Sequence, residues 1–225
     1  MGERRMAPYK PPFLSTNSSY AAVSYMAHTM TRKTESEAMF EAFCTEHHLD
    51  WQPIPTGPDK TTDYRLRFGA VTVQVEIEQI ESQRGFNPDG VSSRTVGSHV
   101  RQKISEARRQ MQMAAQAGVP AILLIHNTID SWQAFGTETH DFMCAMYGEM
   151  TVRLTDGRPR ESFHGRNAKL RDDANTSFSG VGHLKRVANG IEVKVYENVY
   201  AAHPLPFENM PSCIQVVHVE VEHAA

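Results

Sequence analysis

Between Val71 and Glu78 apolar and polar residues alternate without interruption. Side chains of an extended strand point to opposite faces in turn. Val71, Val73, Val75 and Ile77 therefore share one face, and Thr72, Gln74, Glu76 and Glu78 the other. A shorter alternation lies just upstream across a turn at Gly69, so residues 62–80 read as a hairpin with Asp63 near its start. Before it, Ala38, Met39, Ala42 and Phe43 recur at helical spacing, behind Glu35, Glu37 and Glu41. Acidic residues suit the positive end of a helix dipole, so a helix is expected from about Ser36 to His48. Leu49 to Ile54 reads as a short strand, and residues 55–60 as a Pro- and Gly-containing loop.

A second helical stripe, Val100, Ile104, Ala107, Met111 and Ala114, predicts one long helix from Ser98 to Ala117. Ser98 is its expected N-cap, and Gly118 and Pro120 end it. Lys103 and Gln110 run along one edge of the stripe and Arg101 and Arg108 along the other, with Arg109 outward. The unbroken apolar run at residues 120–127 has the character of a strand buried on both faces. Strand, helix and strand in this order imply a right-handed crossover. Further on, Glu138 to Tyr147 reads as a helix, Met150 to Leu154 as a strand, and residues 155–176 as irregular. Ser177 to Leu184 and Ile191 to Val199 are expected to pair around Asn189-Gly190, with Ile214 to Val221 as a last edge strand. The fold class is α/β, a mixed β-sheet flanked by helices with an additional C-terminal hairpin.

Composition narrows the picture. At 225 residues the chain fits a single domain, here 34–225. Residues 1–33 carry Arg4, Arg5, Lys10, Arg32 and Lys33 against Glu3 alone and show no period. They read as a flexible tail or a mis-assigned start, with Met26 and Met30 as alternative first residues. A net charge of −3 excludes a polybasic binder but leaves room for a local basic surface. No apolar run is long enough for a membrane helix. Three cysteines, Cys44, Cys144 and Cys213, are scattered and odd in number, which suits a reducing, cytoplasmic setting. Cys44, His47 and His48 have zinc-like spacing, yet no second ligand pair stands near them in sequence. His126 and Asn127 end the buried run, where a hydrogen-bonding role in the loop is expected.

The chemistry concentrates on three carboxylates, Asp63, Glu76 and Glu78. Clustered carboxylates repel one another unless a cation sits among them, and oxygen-only ligands suit Mg²⁺ or Mn²⁺. The stretch TTDYRLRFGAVTVQVEIEQ, with the helix RQKISEARRQ, the strand PAILLIHN and the segment YENVYAAHPLP, resembles the PD-(D/E)xK nuclease superfamily, the restriction-endonuclease-like fold. In that resemblance Asp63 matches the acid that opens one strand and Glu76 the acid of E-x-K on the next. The motif lysine falls at Glu78, so this chain reads E-x-E. The resemblance implies metal-dependent hydrolysis of nucleic acid, DNA foremost, with a homodimer possible. Asp63, Glu76 and the Ile77 carbonyl then hold one Mg²⁺ or Mn²⁺, and Glu78 is a further ligand or a proton acceptor. Lys103 substitutes for the missing lysine, with Gln110 beside it and Glu37 or Glu41 as an outer ligand. Arg84, Arg94, Arg101 and Arg108 are the expected contacts to the nucleic-acid backbone. The alternative is an impaired domain of the same fold that binds nucleic acid or protein.

Overall fold

The sheet grows outward from the acidic hairpin. In a computed structural model, described over residues 33–55, 57, 60–81, 94–130 and 136–221, helix α1 (Glu35–Glu46) leads into β1 (Asp50–Pro53), β2 (Tyr64–Phe68) and β3 (Val71–Ile80). Thr34 caps α1 in a capping box with Glu37, so the helix starts one residue before the expected Ser36. The three strands form an antiparallel meander. Arg84, Trp132, and the predicted tail apart from Lys33, lie outside the described residues.

The expected single helix is two. Helix α2 (Ser98–Glu106) and helix α3 (Arg108–Gln116) meet at Ala107, whose ψ of −6° departs from helical geometry. The hydrogen bonds Ala107 N–H to Lys103 and Met111 N–H to Ala107 still carry the ladder across the join. Ser98 is not the cap. Gly97 holds that position at φ 72°, and no side chain caps it. Its N–H is taken instead by the buried carboxylate of Asp141 at 2.8 Å. A Cβ at Gly97 would lie 2.7 Å from the Asp141 carbonyl oxygen, so both the turn and the packing require glycine.

Strand β4 (Ala121–Asn127) then runs parallel to β3, with every residue buried. Ile122 and Leu124 enter the apolar cluster under α1, whereas Leu123 and Ile125 enter the one under α2, α3 and α4 (Thr139–Tyr147). Each such side chain contributes about 1.5–3 kcal/mol by leaving water, so β4 is the ridge on which both halves of the core rest. Strands β5 (Met150–Thr155) and β6 (Arg158–His164) form a separate two-stranded arm. Part of the segment expected to be irregular is thus a strand. Its turn, Asp156-Gly157, has φ 51° and 71°, a geometry that Asp-Gly adopts readily.

The C-terminal hairpin, β7 (Gly180–Val187) and β8 (Gly190–Glu197), joins the main sheet beside β4, and β9 (Ile214–Val217) closes the edge parallel to β8. The mixed sheet has the order β1-β2-β3-β4-β7-β8-β9. Among the described residues no helix is long and apolar enough to cross a membrane. The three cysteines are free.

Candidate active site

Register brings the acids together. Pairing of β2 with β3 stops at Tyr64 opposite Val75, and β3 runs on beyond it. Asp63, immediately before β2, fills the gap: its carboxylate accepts the Ile77 N–H at 2.8 Å. Glu76 and Glu78 share the face of β3 that looks toward α2 and α3, as alternation requires. That face is covered rather than solvated. Glu76 is only 5 % exposed.

The helices supply the counterparts. Lys103 of α2 donates to Glu78 at 2.9 Å, and Gln110 of α3 donates to Glu76 at 3.1 Å. The helices run antiparallel to β3, so the later helical residue meets the earlier strand residue. Lys103 also binds Glu106 at 2.8 Å. Both Lys103 and Glu78 are mostly shielded, with side-chain exposures of 16 % and 19 %. Burial works against the charge of Lys103, but its contacts with Glu106 and Glu78 outweigh this and hold its pKa above the usual lysine value. Lys103 is therefore a fixed cation and not a proton acceptor.

The two inner acids are shifted the other way. Burial, then the charges of Asp63 and Glu78, raise the Glu76 pKa to about 9, against partial opposition from Gln110. Burial raises Asp63 to about 6, with the Ile77 N–H opposing and Glu37 and Glu78 adding to the rise. Glu76 Oε2 is buried and has no hydrogen-bond partner among the described residues. A buried carboxylate oxygen left in this state is costly unless it is protonated or meets a cation.

A divalent cation fits this pair on chemical grounds: Glu76 presents a buried oxygen without a partner among the described residues, the charge of Asp63 acts on it, and the Ile77 carbonyl belongs to the residue whose N–H fixes Asp63. Among the described residues no three His, Cys, Asp or Glu side chains form a ready metal-binding group. The Glu78 carboxylate, expected as a third ligand, is engaged by Lys103. Glu37 and Glu41 are also committed elsewhere: Glu37 to the Thr34 cap, Glu41 to Lys33 and, at 2.9 Å, to the Tyr64 hydroxyl.

Of the expected nucleic-acid contacts, Arg94 pairs with Asp141. Arg101 donates to the carbonyls of Val96, Cys144 and Asn167 at 2.7–3.0 Å. Arg108 is exposed on α3. Asn127 caps the loop after β4 by accepting the N–H groups of Ile129 and Asp130, and His126 Nδ1 lies 2.9 Å from the Leu184 carbonyl on β7. Sequence reasoning missed Asp141, whose position on an apparently ordinary helix start gave no sign of its burial. It also missed the basic loop at residues 165–171, which stood in the stretch read as irregular.

No family model matches the chain, and neither does any curated protein or solved structure.

Proposed function

We propose that the chain is a metal-dependent nuclease of the PD-(D/E)xK kind that hydrolyses phosphodiester bonds in nucleic acid, DNA foremost. The observation that carries this reading is the meeting of Asp63, Glu76 and Glu78 with Lys103 and Gln110 from the following helices. A core-packing explanation does not account for a buried glutamate with an unpartnered oxygen beside a half-buried aspartate.

In this reading Asp63, Glu76 and the Ile77 carbonyl hold Mg²⁺ or Mn²⁺. When bound, the cation neutralises charge at the scissile phosphate and acidifies water near neutral pH. The protein's own groups have separate tasks. The Ile77 N–H orients Asp63, and Gln110 orients Glu76. Glu78 holds Lys103 next to the acids, so the ammonium faces charge that develops on the phosphate. Glu76 keeps a proton at neutral pH until cation binding displaces it, which links metal affinity to pH.

The assay is incubation with plasmid, single-stranded DNA and RNA in Mg²⁺ and in Mn²⁺. Cleavage of at least one substrate, abolished by Glu76→Ala, is expected. No cleavage of any of them, or cleavage by Glu76→Ala at the wild-type rate, sinks the reading.

A second reading, an impaired domain that only binds, is favoured by one observation: Lys103 ties up Glu78 and leaves two carboxylates for a metal. Thermal unfolding separates the two. A metal site stabilises the fold by about 2.7 kcal/mol when the ion is at a hundred times its Kd, whereas an impaired site leaves the transition unmoved by Mg²⁺ or Mn²⁺.

A further inference from the structure

On the far side of α2 from β3, a groove of about 1210 Å³ opens between that helix and the loop at residues 165–171. Among the described residues Arg94, Arg101, Arg166, Lys169 and Arg171 line it, and no aspartate or glutamate does. Arg94 pairs with Asp141, Arg101 lies 3.7 Å from Glu149 and Arg171 pairs with Asp173, so the local excess of positive charge rests on Arg166 and Lys169.

The walls are held firmly. Arg101 is fixed by its three carbonyl contacts and Arg94 by Asp141. The facing loop is tied to α4 through Lys169 N–H to the Ala145 carbonyl and Leu170 N–H to the Met146 carbonyl, both 2.9 Å. Asn175 further secures the Lys169 carbonyl at 2.7 Å. These bonds use main chain, so the Arg166 and Lys169 side chains stay available. Among the described residues neither has an ion-pair partner; Arg171 pairs with the exposed Asp173. The groove also leads somewhere. His99 and Gln102 line both it and a smaller 140 Å³ cavity bounded by Gln79 and Lys103, and Lys103 holds Glu78.

We propose that this groove is the track for the phosphate backbone of one nucleic-acid strand, with Arg166, Lys169 and Arg171 as the contacting cations and α2 as the wall between track and acids. Arg94 and Arg101 shape the wall. The proposal rests on the nuclease reading for its direction, toward Lys103, but its test is binding and not cleavage.

The test is fluorescence anisotropy with single-stranded DNA and RNA oligonucleotides in EDTA across a salt series, using wild type, the triple variant Arg166→Gln/Lys169→Gln/Arg171→Gln, and a control, Arg153→Gln/Arg160→Gln, on the β5-β6 arm. Each lost phosphate contact removes about 0.7 from the slope of log K against log salt on a single strand. The triple variant should therefore flatten the slope by about 2 and weaken binding at least about tenfold near 0.1 M salt. The control should match wild type. If the triple variant does not fold, judged by thermal unfolding, Arg166→Gln and Arg171→Gln alone, both at exposed positions, should each lower the slope by about 0.7. No binding of either nucleic acid by wild type, groove variants that bind like wild type, or a control that loses as much, each overturns the proposal. The two oligonucleotides tell DNA from RNA. Binding through the groove without cleavage upholds the track and sinks the nuclease reading; cleavage untouched by groove substitutions does the reverse.

Discussion

Replacing Glu76 with glutamine tests the central electrostatic claim without touching the shape of the site. The side chain is 5 % exposed and its pKa is raised from 4.5 to about 9, chiefly by burial. The native state thus keeps a proton that the unfolded state releases. A carboxylate shifted upward contributes nothing unfavourable below pH 4.5 and progressively destabilises the fold as pH rises toward 9. One retained proton corresponds to about 1.4 kcal/mol per pH unit. At pH 7 the distance from 4.5 gives a cost of about 3 kcal/mol. Glutamine cannot ionise and should recover most of that, while keeping an acceptor for Gln110. Urea unfolding of wild type and Glu76→Gln at steps from pH 5 to pH 8.5, without divalent metal, gives the answer. The gap between the two should widen by about 1.4 kcal/mol per unit. Taking the difference cancels other titrations, including the buried His126 and His183, whose pKa values burial lowers and whose effect has the opposite sign. Parallel curves from pH 6.5 to pH 8.5 would refute the claim that Glu76 is held protonated.

Asp141→Asn should destabilise the domain by about 3 kcal/mol, because it leaves Arg94 without its counter-ion and weakens the hold on the Gly97 N–H; chemical denaturation measures this, and a loss under 0.5 kcal/mol would show that α2 starts without that clamp. Glu78→Lys alone should destabilise by about 1–3 kcal/mol by facing Lys103 with a like charge, and adding Lys103→Glu should restore much of it. A double-mutant cycle with no coupling would mean that the Glu78–Lys103 contact contributes nothing.

The two hairpins and the two-sided β4 were open to sequence reading because each rests on a local pattern with one physical solution. Alternation over residues 71–78 decides which residues share a face, and an unbroken run of aliphatics has to be covered twice. Lys103 and Gln110 were likewise readable from helical spacing, since a stripe has only two edges. What stayed hidden depends on partners distant in sequence. Asp141 replaces a cap from 44 residues away, so Ser98 looked like the cap while the helix in fact starts from a glycine. Arg101 reads as a surface cation on a helical wheel, yet carbonyls from three separate segments enclose it. The β6 strand was missed for another reason: Arg158, Pro159 and Arg160 suppress the apolar alternation of an arm with no core to face, although Asp156-Gly157 marks its turn plainly.

Glu78 takes on a different meaning once its partner is known. As a third acid it adds negative charge to a site that already holds two, and read on its own it argues against a working nuclease. Paired with Lys103, which it shares with Glu106, its charge is partly offset, whereas Asp63 and Glu76 have no cation beside them among the described residues. In the proposed nuclease reading, a helix lysine would serve the position that the motif gives to a strand lysine, with the glutamate as its anchor. The anchor matters because a lysine reaching from α2 over apolar surface has many rotamers, and two carboxylates at 2.8–2.9 Å confine it to one place. The opposite wall of the same helix carries the basic groove. A single element therefore separates the acids that suit a metal from the cations that suit phosphate, and a strand lying in the groove would come to the acids past Lys103.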